Sequence, residues 1–249
     1  MIEVKLSEEL ISELAGLGVI FGHKKSKTHP NMKSIIIDNR NEIELMNPEA
    51  VVSSLDKTLV FLREKMRSGA VVKTEGEKEV ATTNNTLILL VGSLPSARGA
   101  IEAFGKEFDF PYVTTRWLGG TLTNFKSIRK RIDHYLGLKD KKEKGELAKY
   151  TKKERVGFDK EIEKLEENFS GLIKLTRIPD VLFVVDIKEH ETAVREAKHL
   201  NVPVIGIVDS DDNPREINYP IYANDHSKQA VEWVVRRLIA GLKEKILKE

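Results

Sequence analysis

Apolar residues fall along this chain in two kinds of run. Unbroken stretches of about five predict buried strands, and positions recurring every three or four residues predict helices. Ser7-Glu8-Glu9 reads as a helix start with acids at the positive dipole end, leading into Leu10, Ile11, Leu14 and Leu17, and Gly16 and Gly18 end it. Residues 34–38, with three consecutive isoleucines, predict a short buried strand. Asn47 and Pro48 then supply a cap and a first-turn proline for a helix carrying Val51, Leu55, Leu59, Leu62 and Met66. Residues 87–91 predict a second buried strand, after which Pro95 starts a helix bearing Ile101 and Phe104. Further on, 181–185 is a strand ending in Asp186, followed by a helix with Ala193, Val194, Ala197 and Leu200. The strand 204–208 ends in Asp209, and 219–223 is a last short strand. From Asp225 a long helix shows Val231, Val234, Val235, Leu238, Leu242 and Ile246 on one side. Apolar strands alternating with helices predict a parallel sheet covered on both faces.

The middle of the chain has a different rhythm. Phe125, Ile128, Ile132 and Tyr135 are spaced three or four apart between largely charged positions, and a break is predicted over 137–145. Phe158, Ile162, Leu165, Phe169 and Leu172 repeat the same narrow seam. Two such seams joined by a polar loop predict an antiparallel coiled-coil hairpin. A first arm of about 17 residues reaches roughly 25 Å. Such an arm has little surface for a catalytic pocket and suits gripping something large. The expected fold is a doubly wound α/β domain with a parallel sheet of about five strands. Residues 1–120 and 171–249 form the sheet domain, and 121–170 form the hairpin. Within 70–85, Ala70-Val71-Val72 and Val80-Ala81-Thr82 flank Glu75-Gly76 and predict a small surface hairpin with no function attached.

Charge adds little globally and more locally. The 249 residues carry a formal net charge of only +2, which leaves room for a local basic face. Residues 24–33 hold four lysines and no acid: Lys24, Lys25, Lys27 and Lys33, with Asn31 among them. A basic loop with glycine and proline nearby suits phosphate contact, although on composition alone a solvated loop is the commoner role. The first arm concentrates Lys126, Arg129, Lys130 and Arg131, where an ordinary solvated helix face accounts for them equally well.

One string organises the rest: Tyr112-Val113-Thr114-Thr115-Arg116-Trp117-Leu118-Gly119-Gly120-Thr121-Leu122-Thr123-Asn124. A short strand ends in a Gly-Gly turn, and a helix is predicted to start at Thr121, whose hydroxyl would cap it. Arg116 and Trp117 put a cation and a flat ring before the turn. This string resembles the signature of the small-subunit ribosomal protein S-two family. Phe21-Gly22-His23 and Pro30-Asn31-Met32-Lys33 resemble that family's amino-terminal motif. Tyr150-Thr151-Lys152-Lys153-Glu154 and Glu163-Lys164-Leu165-Glu166 resemble the second arm of its bacterial members, an arm that archaeal and cytosolic eukaryotic relatives lack. Residues 179–209 are close to a second signature, with departures at Lys188-Glu189-His190. Gly92-Ser93-Leu94 stands where the family tends to have Gly-Thr-Lys, with Arg98 as the nearby substitute cation.

The resemblance implies a flavodoxin-like sheet with an inserted hairpin, in a structural, non-enzymatic component of a bacterial-type small ribosomal subunit in the cytoplasm. It implies ribosomal RNA contacts by Lys24, Lys25, Lys27, Asn31, Lys33, Arg98, Arg116, Trp117, Asn124, Lys126, Arg129, Lys130, Arg131, Lys152 and Lys153. For Trp117 the alternatives are stacking on an exposed base and burial at the root of the hairpin. Implied partners are small-subunit rRNA, other small-subunit ribosomal proteins, and the mRNA-binding protein S-one. No membrane or small-molecule substrate is expected.

Two rival classes compete with this reading. A dinucleotide or flavin enzyme lacks its glycine fingerprint, because Leu94 stands where the second glycine after Gly92 should be, with Pro95 following, and no Walker motif occurs. A metal-dependent hydrolase could use Asp186 and Asp209 at the strand ends with His23 or His190, though capping is the commoner role for such carboxylates. No cofactor is expected otherwise. A divalent ion held by His23, Asp186 and Asp209 would pin the basic loop without turnover. No cysteine and no apolar run of membrane-spanning length is present.

Overall fold

The computed structural model describes residues 6–68, 70–75, 78–84 and 86–246. Its centre is a five-stranded sheet of β6 (Ile88–Val91), β7 (Tyr112–Val113), β8 (Val181–Val185), β9 (Val204–Val208) and β10 (Tyr219–Tyr222), in the spatial order β10-β9-β8-β6-β7. Every pairing is parallel. Numbered within the sheet, this is the flavodoxin-like order 2-1-3-4-5, whose direction reverses between β6 and β8. All residues of β6, β8 and β9 are buried, so these strands read as continuous apolar runs without alternation.

The helices preceding and following the strands supply the cover. They are α1 (Glu8–Gly16), α2 (Pro48–Ser68), α3 (Pro95–Phe108), α6 (Glu191–His199) and α7 (Lys228–Ile246). Ser7 caps α1 by accepting from Leu10 N, and Asn47 Oδ1 accepts from Glu49 N at the start of α2. Helix α7 packs on both α2 and α3, and α6 lies against β8 and β9. The apolar side of α7 contributes Val231, Val234, Val235, Leu238 and Leu242, while the side chain of Ile246 lies outside the described residues. Burying one such side chain contributes about 1.5–3 kcal/mol, so the stripe on α7 alone outweighs any surface ion pair of the molecule.

The triple-isoleucine segment is not the buried strand its composition predicts. It forms β2 (Ile36–Arg40), which pairs antiparallel with β3 (Ile43–Met46), which in turn pairs antiparallel with β1 (Phe21–Lys24). These three strands make a separate sheet, and four of the five residues of β2 are exposed, Ile37 to 59%. The predicted surface hairpin is present as β4 (Ala70–Glu75) paired antiparallel with β5 (Lys78–Asn84), with Gly76 of its turn outside the described residues.

The inserted pair consists of α4 (Phe125–Glu143) and α5 (Lys152–Phe169). Helix α4 continues through Gly137, where a break was predicted, and Leu138 extends its buried seam beyond Ile128, Ile132 and Tyr135. At 19 residues it is about 28 Å long. Ile162 and Phe169 of α5 are buried in turn, and the charged edges pair across the two helices: Lys142 with Asp159 at 2.7 Å, His134 with Glu161 at 3.0 Å, and Lys139 with Glu166 at 3.6 Å. Late α4 therefore meets early α5, an antiparallel arrangement. Thr151 and Glu154 form a reciprocal capping box that fixes where α5 starts.

Candidate functional site

The signature string is wrapped around one carboxylate. Glu196 of α6, 8% exposed, accepts from Trp117 Nε1 at 3.0 Å and Gly120 N at 2.8 Å through Oε1. Its Oε2 accepts from Leu122 N and Thr123 N, both at 3.0 Å, and from Thr123 Oγ1 at 3.1 Å. Burial by itself raises the pKa of Glu196, but the donors of Thr123, Trp117, Gly120 and Leu122 outweigh it and hold the carboxyl below its ordinary value. Gly120 sits at φ +87°, which lets the turn aim successive amides at one acceptor. Helix α4 accordingly starts at Phe125 and not at Thr121. Thr121 is buried and its hydroxyl donates to Leu118 O at 2.6 Å, so it closes the turn instead of capping a helix.

Trp117 is thereby half-buried at the root of the hairpin, which favours the positioning role over a free stacking face. Arg116 beside it is exposed. Together with Arg98 it lines an open cleft at the ends of β6 and β8, shared with Ser93, Glu189 and His190. Arg98 donates from Nε to Ser93 O at 2.9 Å, leaving the rest of its guanidinium at the surface.

The basic segment 24–33 is docked rather than loose. His23 N donates to Ser210 Oγ at 2.7 Å, His29 N to Ser210 O at 2.9 Å, and Asn31 Nδ2 to Asn213 Oδ1 at 2.9 Å. A Cβ on Gly22 would stand 2.6 Å from Ser210 Oγ, so only glycine allows β1 to lie this close to the loop after β9. Met32 is fully buried beneath the segment. Lys24, Lys25, Lys27 and Lys33 are exposed, Lys24 within 3.9 Å of Glu42. Among the described residues no carboxylate pairs with Lys25, Lys27 or Lys33. Asn31 is committed to the docking contact.

The hairpin divides its cations in the same way. Lys126, Lys130, Arg131, Lys152 and Lys153 are exposed, and Asn124 is exposed at the amino-terminal end of α4. Arg129 is different: it is half-buried, Nη1 donates to Ile173 O and Leu175 O, and Nη2 lies 2.9 Å from Asp133. Its guanidinium ties α4 to the returning chain.

The strand-end carboxylates also regroup. His23, Asp209 and His226 bring donor atoms within 4.8 Å of one another, and so do Asp186, Asp225 and His226. The trio of His23, Asp186 and Asp209 expected from sequence is thus split between two groups that share His226. His190 is elsewhere, with Nδ1 2.9 Å from Asp186 O and Nε2 accepting from Ser93 N at 3.2 Å. The Asp209 carboxylate, 3.2 Å from Nδ1, raises the pKa of His23 against the opposing effect of burial. Burial, then the charge of Asp225, pushes Asp212 up to about 8. Asp211 is lowered on balance: burial opposes its ionisation, and Lys188 at 2.8 Å with His23 outweighs that.

Glu196, Ser210 and the Asp225-His226 pair escaped sequence reasoning. Glu196 is one acid in a charged helix, and nothing local marks it. Asp225-His226 follows the last strand and carries the same strand-end signal as Asp186 and Asp209, so it was open to the same argument.

Comparison with known proteins converges on one family. The family model for ribosomal protein S2 matches residues 14–244. A small ribosomal subunit protein uS2 of Dehalococcoides mccartyi is 35% identical over 228 residues, covering 92% of this chain and 86% of the relative. Proteins of the same description from Dictyoglomus turgidum and Dictyoglomus thermophilum are 38% and 37% identical over 235 residues, covering 94% of this chain and 89% of each relative. With the parallel sheet order, the clamped signature turn and the inserted helix pair in place, this extent of match is decisive: the chain belongs to the ribosomal protein S2 family.

Proposed function

We propose that this member of a structural, non-enzymatic ribosomal family grips small-subunit rRNA through two sets of exposed cations, in the cytoplasm and within the assembled subunit. The first set is Lys25, Lys27 and Lys33 on the docked segment, with Lys24 beside them. The second is Lys126, Lys130 and Arg131 on α4 with Lys152 and Lys153 at the start of α5. Arg98 and Arg116, which line the cleft at the ends of β6 and β8, add to the grip. The observation that carries the reading is that these cations, Lys24 apart, have no carboxylate partner among the described residues and sit on segments fixed by buried contacts. A cation held in place loses little further entropy when it meets a phosphate, whereas a cation on a mobile loop must first be ordered. Residues 121–170 act as the arm that extends this grip, with the loop clamped by Glu196 at its root. Neighbouring small-subunit proteins, and the mRNA-binding protein S-one through them, are the protein partners that the family resemblance brings to this reading.

Co-sedimentation of the purified chain with small ribosomal subunits depleted of it, titrated against salt, tests the proposal. The comparison is a variant with Lys25, Lys27, Lys33, Lys130 and Arg131 changed to alanine. Binding should saturate, weaken steeply with salt, and show a slope shallower by roughly 0.7–0.9 for each phosphate contact removed. Saturable binding with an unchanged slope would move the interface to other surfaces.

A further inference from the structure

The cleft at the carboxyl ends of β6, β7 and β8 has a volume of about 880 Å³. It is larger than the groove between α2 and β10, about 540 Å³, and the one between α1 and α7, about 500 Å³. Its place follows from the topology. The crossovers through α3 and α6 run in opposite directions from the boundary between β6 and β8, and right-handed connections put those helices on opposite faces. The loops after β6 and β8 therefore part and leave a crevice, which is where open α/β sheets take their ligands. Ser93, just after β6, is held on both sides: its N donates to His190 Nε2 at 3.2 Å, and its O accepts from Arg98 Nε at 2.9 Å. The Ser93 hydroxyl has no hydrogen-bond partner among the described residues. Gly92 lets α3 begin this close to the strand, because a Cβ there would stand 2.9 Å from Ile101 Cγ1 and 3.1 Å from Ala97 Cβ. Arg116 is exposed and, like Arg98, has no carboxylate partner among the described residues. The indole of Trp117, immobilised by Glu196, keeps its positioning role, and its half-exposed ring forms a flat apolar wall. Glu167 and Glu189 line the same cleft, exposed and without a cation among the described residues.

We propose that this cleft binds one nucleoside diphosphate. The phosphates meet Arg98, Arg116 and the Ser93 hydroxyl, the base lies against Trp117, and the ribose hydroxyls donate to a carboxylate of the rim. A guanidinium presents paired N–H donors to phosphate oxygens, and two of them match two phosphate groups. A flat wall held in place suits a planar base, whichever base it is. Glu167 and Glu189 select a single nucleotide over a continuous RNA strand: a polyanion threaded through the cleft would be repelled by them, whereas the diol of one ribose donates to them. Arg98 and Arg116 also belong to the proposed rRNA grip, so the nucleotide would compete with rRNA for these two cations. That consequence rests on the rRNA-binding reading, and the binding itself does not. No bond is made or broken in the cleft.

The test uses the full chain carrying Trp233→Phe, which leaves Trp117 as the single tryptophan. Titration with ADP and with GDP should change the emission of Trp117 saturably, and calorimetry should give one equivalent per chain. Arg98→Ala and Arg116→Ala, both at exposed positions, should remain folded by circular dichroism and each weaken binding by about tenfold or more. Arg236→Ala, exposed on α7 outside the cleft, should bind as the parent does. Inorganic pyrophosphate and an RNA trinucleotide without terminal phosphates are the comparison ligands. Absence of saturable binding up to about 1 mM, or binding unchanged in the folded arginine variants, would overturn the proposal. Equal affinity for pyrophosphate would overturn it in favour of a simple anion site, and tighter binding of the trinucleotide in favour of an RNA-strand site. The readout involves no ribosome, so its failure would leave the rRNA-binding reading standing, and failure of subunit binding would leave a measured nucleotide affinity standing.

Discussion

Trp117 and Glu196, 79 residues apart in sequence, share a 3.0 Å hydrogen bond from the indole Nε1 to Oε1. That bond is one of five that converge on a single buried carboxylate, three of them from main-chain amides. Hydrogen bonds to a charged partner contribute about 1.5–3 kcal/mol each when isolated, and less when they share an acceptor. Glu196→Ala should therefore cost roughly 2–4 kcal/mol of stability and release the turn. In a Trp233→Phe background, the emission of Trp117 should shift to longer wavelength as its ring gains water. A loss under about 0.5 kcal/mol, which is the range of a neutral surface change, would mean that Glu196 does not organise the signature.

The same residue gives a pH signature. Its folded pKa is depressed below the ordinary value of 4.5, so its stabilisation is fully present above that value and is lost as pH falls through the folded one. The stability difference between wild type and Glu196→Gln should stay constant from neutral pH down to about 5 and narrow with further acidification. Denaturant titrations across this range check it, and a gap that widens in acid would reverse the assignment.

Neighbouring arginines of α4 should behave differently. Arg129 donates to Ile173 O and Leu175 O, so Arg129→Ala should lower stability by about 1–3 kcal/mol. Arg131 is exposed, and Arg131→Ala should stay within about 0.5 kcal/mol while reducing the salt dependence of subunit binding. Thermal melts and co-sedimentation on the two variants separate brace from grip. Equal melting losses would refute the distinction.

Gly22→Ala probes the docking of the basic segment. The new methyl would stand 2.6 Å from Ser210 Oγ and 2.8 Å from Ser210 Cβ, so β1 must move away or Ser210 must turn. A cost of about 1–3 kcal/mol is expected, with faster hydrogen exchange at His23 N and His29 N, which both donate to Ser210. Ser210→Gly in the same chain should recover part of the loss by removing the obstructing side chain.

Much of the fold was legible because burial on both faces leaves a mark in the sequence. The runs at 181–185 and 204–208 have no polar alternation, and they are the fully covered strands. The isoleucines of 35–37 carry the same mark and mislead, because composition records what a strand can bury and not whether anything covers it. The helix start at Thr121 failed for a different reason. The turn's amides found an acceptor 73 to 76 residues further along the chain, so no local cap was needed. Arg129 and Arg131 look alike in sequence, and only the return of the chain past residue 173 distinguishes them. Side chains whose partner is distant in sequence lie beyond any local pattern.

The docking of the amino-terminal strand also bears on how the protein is made. Asn224 Nδ2 donates to Phe21 O across 203 residues, and His23 N reaches Ser210 across 187. At about 5–20 residues per second, the lysine segment emerges from a translating ribosome roughly 10–40 s before its anchors exist. Throughout that interval it is a free polycation next to the RNA of the ribosome that is synthesising it. The loop after β9 and the turn before α7 end this exposure, so the final fifth of the chain decides when residues 24–33 stop being sticky.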